Sequence, residues 1–180
     1  MKIASNKEIL RSEKSDRRTF MQMNRAPIFV VLDNLKAAFN VGSIFRVADA
    51  LLIQKVYLCG TTIAPPHYKI KTTSRGTERW VPWEYRKSTR KTVQELKDGG
   101  AFILCAELTS ESVDYTKINP FFPVCLVLGR EYDGISADVL ELADCIVSLP
   151  IYGMTNSLNV AITGSVLLYE LSKKIRTSSS

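Results

Sequence analysis

Three short segments contain the polar side chains that could do chemistry, and each directly follows an apolar run. The first segment contains Asn40 and Arg46, the second Arg130 and Glu131, and the third Ser157 and Asn159. Arginine stays protonated at physiological pH, so Arg46 is unsuited to act as a simple base. We expect it instead to pair with a phosphate group and to stabilise negative charge that develops on an oxygen.

The elements that must position these segments alternate between strands and helices. Apolar runs predict buried strands at 28–32, 55–60, 101–108, 123–129 and 145–149, with a short edge strand near Trp83. Helical spacing predicts helices at 41–52, 88–97, 136–143 and 157–175, the first of them with Asn40 as a possible cap. This order is typical of an α/β fold with a mainly parallel sheet flanked by helices. The polar segments begin where strands end, which is the edge of such a sheet where ligands bind.

Composition limits the class of protein. The 180 residues are 46% hydrophobic and 23% charged, as expected for one globular domain. No apolar run approaches the roughly 20 residues that cross a bilayer, and the polar N-terminus lacks the apolar core of a signal peptide. We therefore expect a cytoplasmic protein without a membrane span.

The cysteines and the single histidine offer little for metal or triad chemistry. Four cysteines lie in or beside strand-like runs without CxxC spacing, so we interpret them as small buried hydrophobes: Cys59, Cys105, Cys125 and Cys145. His67 falls in a predicted loop and leaves no material for a histidine-dependent triad. We expect no metal site.

The positive charge is concentrated in two stretches. The formal net charge is +6, yet residues 1–25 carry +4 and residues 67–91 carry +6, so the rest of the chain is negative. Such segregation attracts a polyanion, most commonly a phosphate backbone, although a solvated charged surface is the alternative. The second stretch includes a predicted long connection, 61–80, in which Tyr68, Trp80 and the nearby Trp83 could stack on unpaired bases or, for the tryptophans, lie in the core.

In its three polar segments the sequence resembles the SpoU-TrmH family of RNA ribose 2′-O-methyltransferases, within the SPOUT superfamily. The likeness runs from about Pro27 to Leu171, with the motifs in family order. Residues 40–50 resemble the family's first motif, residues 128–134 resemble its second, and residues 149–160 resemble its third. The resemblance implies an α/β knot with a C-terminal trefoil knot, a homodimer, S-adenosylmethionine as methyl donor, and structured RNA, either tRNA or rRNA, as the partner.

The family's functional residues carry over by motif position. The catalytic set implied is Arg46, Asn40, Glu131, Ser157 and Asn159, and the cofactor pocket implied is Leu128, Gly129, Leu149, Ile151, Met154, Ser157 and Leu158. Asn40 would position Arg46 or cap its helix, and Ser157 would cap the last helix or contact a ligand. Asn159 would hydrogen-bond the arginine across the dimer. Glu131 would orient backbone in the pocket or pair with a basic side chain.

One departure concerns motif two, where Arg130 adds a cation before the acid. It would contact RNA phosphate or pair with Glu131, and the sequence leaves both open. The resemblance predicts a methyltransferase domain at 27–176, while the residues themselves predict a basic N-terminal extension at 1–26 and a disordered tail at 177–180. RNA contacts are predicted from the N-terminal extension, from 86–91 and from five named cations: Lys69, Lys71, Arg75, Arg79 and Arg130.

Two other functions compete with this interpretation. A catalytically inactive RNA-binding protein of the same fold would need none of the motif residues, so their presence argues against it. A nucleotide-dependent oxidoreductase on a doubly wound sheet would carry a GxGxxG segment after the first strand, and none is present.

Overall fold

A computed structural model describes residues 17–178 and shows a seven-stranded sheet in which every strand pairing is parallel. The strands are β1 (Ala26–Asp33), β2 (Ile53–Cys59), β3 (Trp83–Arg86), β4 (Phe102–Ala106), β5 (Val113–Asp114), β6 (Val124–Leu128) and β7 (Cys145–Ser148). The helices are α1 (Arg17–Gln22), α2 (Ala38–Ala50), α3 (Tyr68–Ser74), α4 (Thr89–Asp98), α5 (Ala137–Leu140) and α6 (Val160–Ser178). Two 3₁₀ turns, Thr77–Arg79 and Tyr115–Lys117, complete the elements.

The sheet order β3-β2-β1-β6-β4-β7-β5 places the most apolar strands at the centre. In β6 every residue is buried, and its Leu126 lies level with Val30 of β1 and Leu104 of β4. Strands that are covered on both faces need continuous apolar sequence, which is what the runs at 28–32 and 123–129 contain. The predicted α/β class and the parallel sheet are confirmed.

Helices cover both faces of the sheet. On one face α2, α3 and α6 supply Phe45, Ile70 and Leu168 to the larger core, all of them 0% exposed. On the other face α4 and α5 supply Val93 and Val139 to a second core. This second core also holds three of the cysteines.

Burial accounts for the chemistry of these thiols. It raises the pKa of Cys59 to about 11 and that of Cys105 to about 12, because a thiolate loses its hydration in an apolar core. The thiols therefore stay protonated at neutral pH and pack as small apolar groups, as the sequence predicts. Among the described residues no group of three or more His, Cys, Asp or Glu side chains could hold a metal ion.

The segment 61–80, predicted as an unstructured connection, contains α3 and a 3₁₀ turn. Only two side chains of α3, Ile70 and Ser74, are buried, so the apolar periodicity in the sequence is too weak to reveal the helix. The helix forms because it packs closely on α2 at Gly42, where a Cβ would lie 2.8 Å from Thr73 Cβ. Tertiary packing, rather than local propensity, decides this segment.

Both tryptophans pack against the core, the alternative that the sequence left open. The Trp80 indole donates to Asp49 Oδ1 at 2.7 Å, and the Trp83 indole donates to the carbonyl of Glu78 at 3.1 Å.

Residues 1–16, for which RNA contacts are predicted, lie outside the described part of the chain, as do residues 179 and 180. Helix α6 continues through Ser178. Within residues 17–178, no helix has the length and apolarity that a membrane span requires.

Candidate active site

A cleft of about 960 Å³ opens at the carboxyl ends of β4, β6 and β7. Its walls come from five stretches of chain: 36–40, 106–108, 128–134, 147–151 and 156–163. The volume lies at the upper end of the range for small-molecule sites, and parallel sheets bind ligands at this edge. All three sequence motifs contribute to it.

Asn40 joins the three motifs by direct hydrogen bonds. Its Nδ2 donates to Glu131 Oε1 at 2.7 Å, and its Oδ1 accepts from Asn159 Nδ2 at 3.1 Å. Asn40 is only 9% exposed and lies inside the first turn of α2, whose N-cap residue is Ala37. The proposed capping role is therefore wrong, and the side chain connects motif one with motifs two and three.

Asn159, rather than Ser157, caps the last helix. Its Oδ1 accepts from the backbone N–H groups of Ala161 at 2.9 Å and Ile162 at 3.4 Å. Because α6 begins at Val160, Ser157 lies too far from the first turn to serve as the cap, and that expectation is wrong. Ser157 still lines the cleft. Within the chain, Asn159 contacts Asn40 and not the arginine.

A tight loop, 129–135, forms one wall of the cleft. Arg130 and Gly134 exchange two backbone hydrogen bonds, at 3.1 and 3.2 Å. A Cβ on Gly129 would lie 2.3 Å from the carbonyl carbon of Gly134 and 2.4 Å from the nitrogen of Ile135. Only glycine fits there, because the opposing atoms are backbone and cannot rotate away.

Glu107, which the sequence analysis did not select, anchors this loop from the end of β4. Its Oε2 accepts from the Ile135 backbone N–H at 2.8 Å, and its Oε1 accepts from that of Leu108 at 3.2 Å. It also lines the cleft, as do Lys36 and Tyr132. The available signal was its position, since a carboxylate directly after a buried strand reaches the ligand-binding edge of the sheet.

Asp33 supports the loop from the end of β1, and it too was missed. The carboxylate is 0% exposed and accepts from Asn34 Nδ2, from Thr89 Oγ1, and from both the N–H and the hydroxyl of Ser136, at 2.5 to 3.1 Å. Ser136 therefore binds Asp33 instead of capping α5 with its side chain. Four donors compensate for the loss of hydration that burial imposes on the carboxylate.

Of the two contacts that the sequence left open for Arg130, the pairing with Glu131 is not formed. Its Nη1 pairs with Asp133 at 3.0 Å, not with Glu131, whose carboxylate is taken by Asn40. The ion pair is partly exposed, so it contributes little to stability. Arg130 lines the cleft beside motif two.

Arg46 lies outside the cleft, on the exposed side of α2 that also carries Phe39 and Ser43. It makes no hydrogen bond or ion pair with any residue in the described part of the chain. Its guanidinium is therefore available for a substrate. A guanidinium that no carboxylate holds is suited to binding a phosphate group.

The structure brings together six of the seven predicted cofactor residues. Leu128, Gly129, Leu149, Ile151, Ser157 and Leu158 line the cleft, whereas Met154 is fully exposed and does not. A Cβ on Gly153, in the same motif, would meet nothing within 4 Å. The loop 152–159 is exposed throughout, so local sequence could not show which of its side chains turn inward.

Three of the predicted RNA-binding cations cluster on or directly after α3. Lys71 and Arg75 are exposed, Lys69 is half-buried, and none of the three forms an ion pair with the described residues. Arg79, in the following turn, lies 3.8 Å from Glu78. These positions form a basic surface beside α2.

Known proteins resemble this chain over most of its length. Residues 27–169 match the SpoU rRNA Methylase family. The tRNA (guanosine(18)-2'-O)-methyltransferase of Aquifex aeolicus is 30% identical over 158 residues, which cover 87% of this chain and 74% of that protein. The Escherichia coli K12 protein of the same name is also 30% identical over 158 residues, covering 86% of this chain and 67% of that protein.

Solved structures share the fold. The A. aeolicus TrmH/SpoU tRNA modifying enzyme superposes with a TM-score of 0.82 at 26% identity, covering 95% of this chain and 86% of that one. The AdoMet-bound rRNA methyltransferase from Sinorhizobium meliloti superposes with a TM-score of 0.78 at 25% identity, covering 87% of this chain and 60% of that one.

Proposed function

Because the chain belongs to the SpoU rRNA methylase family, we propose that it transfers a methyl group from S-adenosylmethionine to a ribose 2′-hydroxyl of structured RNA. The observation that carries this proposal is the contact of Asn40 with both Glu131 and Asn159, which joins the three family motifs at one cleft. The names of similar proteins, tRNA and rRNA methyltransferases, support the same reaction.

The cleft fits the methyl donor in size and in chemistry. Leu128, Leu149 and Leu158 offer an apolar slot for an adenine ring, and Gly129 leaves backbone groups open for hydrogen bonds at the ring edge. Bound there, S-adenosylmethionine supplies an electrophilic methyl group on a sulfonium. Met154 points to solvent, so we assign the pocket without it.

Arg46 is proposed as the catalytic residue that holds the substrate. Its guanidinium would pair with the phosphate beside the target ribose and stabilise negative charge on the 2′-oxygen, while phosphate or water accepts the proton. Asn40 would fix the start of the helix that carries Arg46, because Glu131 and Asn159 hold its side chain from two directions. Glu131, Ser157 and Asn159 would thus shape the cleft that holds the donor. Because Arg46 lies outside the cleft of its own chain, it would meet a donor across the interface of the homodimer.

A homodimer is proposed on the exposed apolar face of α6. Ile162, Val166 and Tyr169 share one side of the helix, with Ile162 54% and Tyr169 58% exposed, and Leu158 beside its start is 39% exposed. Such a stripe on a soluble domain needs a partner. Sedimentation should give twice the monomer mass, and Ile162→Glu should return the protein to a monomer.

A C-terminal trefoil knot is proposed from the family resemblance. The packing is compatible, since α6, which follows β7, contacts β6, β1 and α2. Pulling the chain from both ends should leave a contour length shorter than that of a fully extended chain, and a full-length extension would reject the knot.

Methyl transfer to RNA tests the proposal directly. Labelled S-adenosylmethionine should transfer methyl groups to bulk RNA at ribose 2′-oxygens, and we expect tRNA to be the better substrate because two similar proteins are named as tRNA methyltransferases. Mapping 2′-O-methyl sites in cells with and without the gene would identify the nucleotide. We expect the protein in the cytoplasm, which cell fractionation would test. RNA binding without any methyl transfer would instead support the inactive alternative.

A further inference from the structure

An aromatic surface beside the cleft carries a function that the catalytic motifs do not cover. We propose that Phe39 of α2 and Tyr68 and Lys69 of α3 form a platform on which an unpaired nucleobase of the RNA stacks. The proposal rests on RNA being the substrate and adds a binding site for a base near the methylated ribose.

The platform is exposed although its parts are apolar. Phe39 is 54% exposed and Tyr68 is 71% exposed. The Lys69 ammonium lies 5.7 Å from the centroid of each of these rings, so the cation sits between them. The His67 ring stacks on Tyr68 at 5.3 Å with an interplanar angle of 20°, which fixes the tyrosine with much of its surface open to solvent.

Packing holds the two halves of the platform in register. Ile70 and Ser74 anchor the buried side of α3, and Gly42 lets that helix approach α2 so closely that a Cβ there would lie 2.9 Å from the Ile70 carbonyl oxygen. Because the two helix backbones are fixed relative to each other, a flat ligand that binds both rings does not have to order the backbone that carries them.

The position of the platform matches an extended strand of RNA. Phe39 directly precedes Asn40, which borders the cleft, and it shares the exposed side of α2 with Arg46. A strand that places its phosphate on Arg46 would therefore carry a neighbouring base toward Phe39 and Tyr68. Stacking on aromatic rings is how single-stranded bases are commonly held.

Charge favours RNA over a second protein as the occupant. Lys71 and Arg75 flank the aromatic rings, are exposed, and pair with no carboxylate among the described residues. An aromatic surface framed by unpaired cations complements a ligand that has flat rings and phosphates. A purely apolar protein partner would leave these cations without counter-charges.

The test compares single-stranded with duplex RNA. The probe is an adenosine decamer that contains one central 2-aminopurine, and the reference is the same strand paired with its complement, in which stacking is already satisfied. Tyr68→Ala and Phe39→Ala should each weaken single-strand binding by about fivefold or more and restore 2-aminopurine fluorescence, because a stacking ring is lost. Duplex binding should change less than about twofold.

Matched variants separate stacking from unfolding. Tyr68→Phe keeps the ring and should bind like the unaltered protein. Phe121→Ala removes another exposed aromatic, 61% exposed at the opposite edge of the sheet, and should leave binding unchanged. Equal losses on both RNAs, or no loss on either, would overturn the platform. The platform would also be overturned if Phe39→Ala lost its dimeric state but bound single-stranded RNA as well as the unaltered protein. A second copy of the chain would then be the occupant of this surface.

The result is independent of catalysis. Calorimetric binding of S-adenosylmethionine and methyl transfer are measured separately on the same proteins. If Tyr68→Ala weakens single-strand binding as predicted but the unaltered protein transfers no methyl group, the enzymatic function is rejected and the platform is supported. The reverse pattern would reject the platform alone.

Discussion

Replacing Gly129 with alanine should damage the cofactor cleft more than it damages the fold. The new Cβ would lie 2.3 Å from the Gly134 carbonyl carbon, whereas ordinary van der Waals contact begins at 3.4 Å. The loop 130–134 must therefore retreat by about 1 Å, because neither backbone can rotate out of the way. Overpacking of this kind costs about 1–3 kcal/mol of stability.

The same displacement breaks the contact between motifs one and two. Asn40 Nδ2 lies 2.7 Å from Glu131 Oε1, and a shift of about 1 Å takes the pair beyond hydrogen-bond range. We expect the dissociation constant for S-adenosylmethionine to rise at least about tenfold, equivalent to about 1.4 kcal/mol. We expect kcat/KM for methyl transfer to fall about 100-fold, as a misplacement of this size typically causes.

The matched control is Gly153→Ala in motif three. A Cβ at Gly153 meets nothing within 4 Å, so the same chemical change should leave donor affinity and turnover near those of the unaltered protein. Isothermal calorimetry with S-adenosylmethionine, urea unfolding and steady-state methyl transfer give the three quantities. If Gly129→Ala bound the donor and turned over as well as Gly153→Ala, the loop would not shape the site as described.

Three further changes test other parts of the structure. Arg46→Ala should lower kcat by about 100-fold or more. Donor affinity and melting temperature should stay constant, because the exposed guanidinium has no partner among the described residues. A parallel loss of stability would contradict this. Asp33→Asn should cost about 1–3 kcal/mol in urea unfolding, since an amide N–H₂ would face donors such as Thr89 Oγ1 at 2.5 Å, whereas the exposed Asp98→Asn should be neutral. Burial raises the pKa of Cys59 to about 11 and that of Cys105 to about 12. The contribution of these neutral thiols to stability is therefore fully present below their unfolded pKa near 8.5, and it decreases as the pH rises toward 11 or 12. Urea unfolding at pH 8 and pH 10.5 should show this loss, and Cys105→Ala should reduce it; an unchanged slope would remove the cysteines as its cause.

Sequence patterns specified the sheet well because burial on both faces leaves a local mark. The run at 28–32 and, within 123–129, the strand Val124–Leu128 are apolar at every position, and short runs of this kind favour central strands of a parallel sheet. Ser88 and Gly99 bound α4 as predicted, since the Ser88 hydroxyl accepts from the Lys91 N–H at 3.3 Å. Caps and apolar periods act over a few residues, so they are readable without the fold.

Hydrogen-bond partners in the site were not readable in this way. Asn40 and Ser157 both have the side chains of helix caps, yet Asn40 binds Glu131 and Asn159 while Asn159 takes the capping role. Arg130 forms an ion pair with Asp133, and the Met154 side chain is exposed to solvent. The Asn40 contacts join residues 91 and 119 positions apart, and the other two outcomes depend on the conformation of a loop.

The sequence by itself determined the α/β class, the central strands, the family and most of the predicted cofactor residues that line the cleft. Only the tertiary structure decided that α3 is a helix, that Glu107 and Asp33 brace the loop 129–135, and which polar atoms pair inside the cleft. The reason is physical: burial and local caps are properties of short segments, whereas a hydrogen bond between distant side chains exists only after the chain has brought them within about 3 Å of each other.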